Sequence, residues 1–207
     1  MCVCQVGGDR MNEQTRIHNM VVASVNGIIT SKQIRDAGIH PHYLQELVRS
    51  GELQQVSRGI YLRSDAWEDD LFLFQQRYQR GIFSHETALY LHGYSDRTPS
   101  MYAMTFPSNY HSLALDQEAL VVHRTILKNY ELGVTDIHSP SGNLLRVYDL
   151  ERTLCDIVRG DGCDIQIVND AMKRYANAKG KDIHKLMQYA AQLRVKPKIQ
   201  RYMEVLL

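Results

Sequence analysis

The sequence holds no run of about 18 apolar residues, the length a membrane-spanning helix requires. Its opening residues, MCVCQVGGDR, are too short and too polar for a secretory core. Both absences point to the cytoplasm. Only four cysteines occur, Cys2, Cys4, Cys155 and Cys163, and their spacing matches no zinc pattern, which needs paired C-x₂-C knuckles or Cys/His pairs. No metal and no other cofactor is expected. Cys155 falls in an apolar helical pattern and reads as a small buried hydrophobe. G-x-x-x-x-G-K-[ST], G-x-G-x-x-G and G-x-S-x-G are all missing, so no phosphate loop, dinucleotide fingerprint or nucleophile elbow argues for an enzyme. There is one tryptophan, Trp67, and the twelve tyrosines are scattered, as half-buried packing residues are.

A large net charge is missing too, but the average of +1 conceals an asymmetry. Residues 61–171 carry nine Lys/Arg against sixteen Asp/Glu, a net of −7. Residues 172–207 carry nine Lys/Arg against two Asp/Glu, a net of +7. An acidic middle followed by a basic end suggests a polyanionic partner.

What is present is a compact order of elements in the first third. Residues 11–25 have Ile17, Met20 and Val21 at helical spacing, and Asn26-Gly27 reads as a stop. Ile28-Ile29 is short and extended. Thr30 or Ser31 caps a second helix running to Ala37, and Gly38 makes a turn. Pro41 opens a third helix whose buried stripe is Leu44, Leu47 and Val48, and Ser50-Gly51 ends it. Residues 53–56 and 60–63 alternate like two strands around Ser57-Arg58-Gly59. Two helices joined by a Gly turn and followed by a hairpin are a winged helix-turn-helix.

The expected fold class is therefore α+β: an N-terminal winged helix-turn-helix over 12–64, preceded by a flexible extension over 1–11. Met11 could equally be the initiator. A mixed α/β domain ending in several helices follows over 65–207. In that second part Ser64-Asp65 starts a helix with Glu68, Asp69 and Asp70 in its first turn. Ser84 caps another helix that stops at Gly93. Residues 101–106, 120–126 and 144–148 read as strands, and Asp149 caps a helix with Leu150, Leu154, Ile157 and Val158 on one face. Helices over 164–178, 181–194 and 197–206 complete the chain, separated by Gly180 and Pro197.

In a helix-turn-helix the second helix enters the major groove. With its apolar residues turned to the core, residues 41–49 leave His42, Tyr43, Gln45, Glu46 and Arg49 outward. Gln45 suits adenine, and Arg49 suits guanine or phosphate. Lys32, Arg35, Arg58 and Arg63 would grip backbone or, from the wing, a minor groove. At the other end Lys173, Arg174, Lys181 and Lys185 would clamp phosphates, with Lys181 and Lys185 on one helix face. Against this stands a protein-interaction module, because Glu46 would repel phosphate. Asp149 and Glu151 form a carboxylate pair of the kind that holds Mg²⁺ in a nuclease, yet a helix cap and its first turn account for both residues.

The winged unit is followed by Ser84-His85-Glu86-Thr87-Ala88-Leu89-Tyr90-Leu91-His92-Gly93-Tyr94-Ser95-Asp96 and later by Tyr148-Asp149-Leu150-Glu151-Arg152-Thr153-Leu154-Cys155-Asp156. In this order they resemble the AbiEi-type antitoxins of abortive-infection systems over nearly all of 12–207. The resemblance implies a bacterial type IV toxin–antitoxin operon that limits phage spread. It implies a non-enzymatic antitoxin that represses its own promoter by binding inverted repeats and counteracts a nucleotidyltransferase-like toxin without a stable complex. The N-terminal extension has no counterpart in that family. The alternative is direct toxin binding through the acidic middle, including Asp65, Glu68, Asp69 and Asp70. With no apolar stripe long enough for a coiled coil, the expected state is a monomer that gathers in several copies on DNA.

Overall fold

The computed structural model describes residues 6–24, 27–112, 115, 120–160 and 163–207. Cys2, Cys4, Val25 and Asn26, on which parts of the sequence reading fall, lie outside the described residues. The fold is mixed α+β and divides into two compact units, Met1–Arg77 with His138–Asn143, and Tyr78–Ile137 with Leu144–Leu207. The division falls beyond the expected boundary at Ser64. No helix among the described residues is long and apolar enough to cross a membrane.

The first unit begins with helix α1 (Val6–Ala23), which starts ahead of the expected Met11. Strand β1 (Ile28–Thr30) leads into α2 (Ser31–Asp36), then α3 (His42–Arg49), β2 (Leu53–Ser57) and β3 (Ile60–Arg63). The three strands form an antiparallel sheet in the order β1-β3-β2. As the central strand, β3 is buried on both faces. Tyr61 joins Ile17, Val21, Ile29, Ile34, Leu44 and Leu47, while Ile60 and Leu62 pack with Ile28 on the other side.

Thr30 is the cap of α2: its hydroxyl accepts from Gln33 N–H while the Gln33 side chain accepts from the Thr30 N–H, a reciprocal capping box. The helix ends where Gly38 takes φ +75°. Ile39 N–H then donates to Ile34 O at 3.0 Å and Gly38 N–H to Arg35 O at 2.9 Å. This Schellman arrangement satisfies the last carbonyls and turns Ile39 back onto Ile34 in the core. The turn direction that delivers α3 thus rests on one residue without a Cβ.

Helix α4 (Asp70–Arg77) also belongs to this unit and starts later than Ser64. Asp69 explains the shift. It is 4% exposed, its Oδ1 accepts from Phe72 N–H, and its Oδ2 accepts from the Ser139 hydroxyl at 2.5 Å and the Asn143 amide at 2.7 Å. The expected acidic first turn is therefore led by a buried capping carboxylate.

The second unit is built on a five-stranded sheet in the order β6-β5-β4-β8-β7, from β4 (Ile82–Phe83), β5 (Tyr102–Pro107), β6 (Leu120–Thr125), β7 (Val134–His138) and β8 (Leu144–Tyr148). Strands β4 and β5 are antiparallel, whereas β4–β8 and β5–β6 are parallel. Helix α5 (His85–Leu91) follows β4, and the short α6 (Leu127–Tyr130) follows β6. Helix α7 (Leu150–Ile157) is buried from Glu151 through Ile157, with Asp149 accepting from Arg152 N–H as its cap. Helices α8 (Ile165–Asn177), α9 (Ile183–Gln192) and α10 (Lys196–Leu206) pack Met172, Tyr175, Leu186, Ala190, Ile199 and Met203 into one core with Leu154 and Cys155 of α7. Cys155 is fully buried, as its apolar neighbours suggested.

Because every face of α7 is covered, its charges need internal partners. Arg152, 1% exposed, donates from Nε to Asp156 at 2.9 Å and from Nη1 to the carbonyls of Asn129 and Leu132. Its guanidinium also stacks on Tyr148, 4.3 Å from the ring centre.

Candidate nucleic-acid interface

Helix α3 presents a divided surface. Leu44 and Leu47 are in the core, three residues apart. Gln45 and Arg49, four apart, are exposed along the opposite side. His42 is exposed one turn before Glu46, and Tyr43 is half-buried beside the core.

Two of these side chains are held in place. Gln45 Nε2 donates to the Tyr61 hydroxyl at 3.0 Å, which orients the amide. Glu46 accepts from Gln14 Nε2 at 2.8 Å and lies 3.1 Å from His42 Nε2. The carboxylate that weighed against phosphate contact is thus directed to an amide on α1 and an imidazole on its own helix. Gln14 and Tyr61 escaped sequence reasoning, because their contacts with α3 span 32 and 16 residues of chain.

The basic residues around α3 fall into two sets. Lys32, Arg35, Arg49 and Arg58 are exposed. Ser31 N–H donates to Gly59 O at 2.8 Å, so the start of α2 lies against the tip of the β2–β3 hairpin. That contact brings the backbones carrying Lys32 and Arg58 together. Arg63, by contrast, forms an ion pair with Asp65 that holds the Asp65 carboxyl below the usual range.

The C-terminal cations are in the second unit, and three of the expected phosphate clamps are engaged there. Lys185 Nζ lies 3.0 Å from Asp149 Oδ2 and 3.1 Å from Glu151 Oε2. Burial works against its charge, but hydrogen bonds to the two carboxylates outweigh burial and raise its pKa. Arg174 pairs with Asp96 and donates to Gly93 O. Lys181 donates to Ala178 O at 3.3 Å. Lys173 is exposed. The expected shared helix face is not formed: α9 begins at Ile183 with Asp182 as its cap, so Lys181 lies ahead of the helix that carries Lys185, and each lysine is turned to acceptors of its own unit.

The same geometry describes the Asp149/Glu151 pair. Asp149 caps α7 and accepts from the Tyr189 hydroxyl at 3.3 Å, and Glu151 accepts from Tyr175 at 3.1 Å. With Lys185 between them, both carboxylates share one side-chain cation. Among the described residues no group of three His, Cys, Asp or Glu side chains could hold a metal ion.

Comparison with known proteins finds a family match over the same region. Residues 19–64 match the family described as transcriptional regulator, AbiEi antitoxin. No curated protein sequence matches the chain. Among solved structures, the crystal structure of the RV2827C protein from Mycobacterium tuberculosis superimposes with a TM-score of 0.55 and 16% identity, over 93% of this chain and 81% of that one. That likeness is one of fold.

Proposed function

We infer that this chain, which carries an AbiEi-antitoxin type of transcriptional regulator in residues 19–64, is the DNA-binding antitoxin of a toxin–antitoxin operon. The α2–Gly38–α3 unit and the β2–β3 hairpin act as a winged helix-turn-helix. Helix α3 enters the major groove of promoter inverted repeats, where Gln45 and Arg49 read bases. Lys32, Arg35 and Arg58 hold phosphates at the helix start and hairpin tip, with His42 and Tyr43 beside them. The protein represses its own promoter and counteracts a nucleotidyltransferase-like toxin in a type IV arrangement. Arg174, Lys181 and Lys185 are assigned no part in DNA contact, because each is engaged with internal acceptors, whereas the exposed Lys173 is assigned a phosphate contact.

The observation that carries this reading is the exposed Gln45–Arg49 face of α3, with Glu46 turned away to Gln14. The test is binding of the purified protein to its own upstream DNA and to scrambled DNA across a salt series. Specific binding with a steep salt slope is expected. Arg49→Ala should lower discrimination by about 1–3 kcal/mol, while Arg58→Ala should weaken all sequences alike and flatten the slope. Equal binding to promoter and scrambled DNA at low salt would make the unit a protein-interaction module.

A further inference from the structure

The second unit contains a small polar cavity that the DNA-binding reading leaves unused. It has a volume of about 140 Å³ and is walled by the sheet on one side and α7 on the other. Thr105 and His123 are register partners on β5 and β6. Arg152, Asp156 and Arg159 follow one another at i, i+4 and i+7, so one face of α7 and its continuation supplies the opposite wall. His85 closes the site with φ +49°, a left-handed conformation uncommon outside glycine that tends to persist at functional positions.

The two histidines are stacked, ring centres 3.5 Å apart and planes 13° from parallel. His85 Nδ1 is 3.0 Å from Ser84 Oγ, and Thr105 Oγ1 is 2.9 Å from the same oxygen. With Thr105 donating to Ser84 and Ser84 donating to Nδ1, the proton of His85 resides on Nε2, which makes that nitrogen a donor. Burial pushes His85 down to about 3, with the charges of His123, Arg152 and Arg159 adding to the effect, and burial lowers His123 as well. The cavity thus holds two stacked imidazoles kept neutral. Its cation excess is also plain. Asp156 is matched by Arg152, while Arg159 is exposed and forms no ion pair among the described residues.

We propose that this cavity binds a small tetrahedral oxyanion, either inorganic phosphate or the terminal phosphate of a phosphomonoester. Arg159 supplies charge, and the His85–His123 pair supplies N–H donors. The polar lining rejects an apolar ligand. The size argues for the anion alone, since sites for whole organic ligands run to about 300–1,000 Å³. An oxyanion at the ring edges would also relieve the arrangement, because a nearby negative charge favours the protonated imidazole.

The test is calorimetric titration of the full chain with inorganic phosphate at constant ionic strength, paired with histidine proton NMR across pH. Saturable one-site binding is expected, with at least one histidine titrating about one pH unit higher in phosphate. Arg159→Gln, at an exposed position where folding is not at stake, should weaken binding about tenfold, the value of one charge-assisted hydrogen bond. Adenosine monophosphate separates the sources: binding well above that of phosphate identifies a phosphomonoester, and equal or weaker binding identifies free phosphate. Absence of saturable binding by both probes, or unchanged affinity in Arg159→Gln, overturns the proposal. So does a variant that loses affinity for duplex DNA while wild type ignores both probes, since the cavity would then be a backbone contact.

Discussion

Lys185 places its ammonium 3.0 Å from Asp149, the carboxylate that also caps helix α7. One side chain from α9 therefore bridges the carboxylate that caps α7 and Glu151 in its first turn.

Lys185→Met should destabilise the protein by about 1–2 kcal/mol, less than a fully buried pair would give because the lysine side chain is 35% exposed and partly screened. The salt slope of DNA binding should be unchanged. Urea unfolding and a salt series on the same variant measure both. A flattened slope with unaltered stability would return Lys185 to the DNA surface.

Arg152→Met should be far more damaging. It strands Asp156, 4% exposed at the side chain, and frees the carbonyls of Asn129 and Leu132. Removing one partner of such a pair costs about 3–5 kcal/mol. Replacing Asp156 by Leu in the same chain should recover part of that loss. Equilibrium unfolding of the single and double variants gives the comparison, and a loss under about 1 kcal/mol for the single would contradict the burial described.

Arg194 ends helix α9 at φ +62°, with Val195 N–H donating to Ala190 O at 2.8 Å and Arg194 N–H to Ala191 O at 3.2 Å. This is the same closure Gly38 makes after α2, but with a side chain in place of glycine. The left-handed conformation costs an L-residue about 1–2 kcal/mol. Glycine loses about 0.5–1 kcal/mol of extra chain entropy on folding. Arg194→Gly should therefore raise stability by roughly 0.5–1 kcal/mol, visible as a higher Tm. A lower Tm would show that the arginine makes up for its backbone.

Acid should weaken the protein before its carboxylates titrate. His85 is held at about 3 in the folded state against 6.5 for the free side chain. The groups facing it are His123, Arg152, Arg159 and the paired Asp156. A folded pKa below the unfolded one means that the unfolded chain takes up the proton first. Stability is then complete above pH 6.5 and falls as pH drops from there toward 3, by up to about 1.4 kcal/mol per pH unit. Unfolding free energies between pH 6.5 and 5 test this. His85→Gln should flatten that limb, and an unchanged slope would mean that His85 does not titrate differently on folding.

Local chemistry made much of this architecture readable. The Leu44–Leu47 stripe, the Thr30 and Asp149 caps and the Gly38 turn are each decided within a few residues, so periodicity and side-chain hydrogen-bonding capacity suffice. Strand β4 has two residues and α6 four, too short for any period to register. Strand β7, Val-Thr-Asp-Ile-His, is half-exposed and polar. The fate of a charged side chain was harder still. Spacing suggests one helix face for Lys181 and Lys185, but the helix starts only at Ile183, after its Asp182 cap, and what Lys185 meets depends on Asp149 and Glu151 in a distant part of the chain. His85 is similar: as a neighbour of Glu86 it suggests no chemistry, and only the sheet brings it to His123.

The arginine inside the second unit also ties the timing of local motions together. The turn over residues 129–132 cannot loosen alone, because its carbonyls would leave a guanidinium without acceptors in a dry interior. Nor can α7 rotate without the turn. Amide protons in both segments should therefore exchange with solvent through the same cooperative opening, at the free energy of unfolding the whole unit. A four-residue helix and the turn after it would thus behave, to a deuterium label, like part of the core.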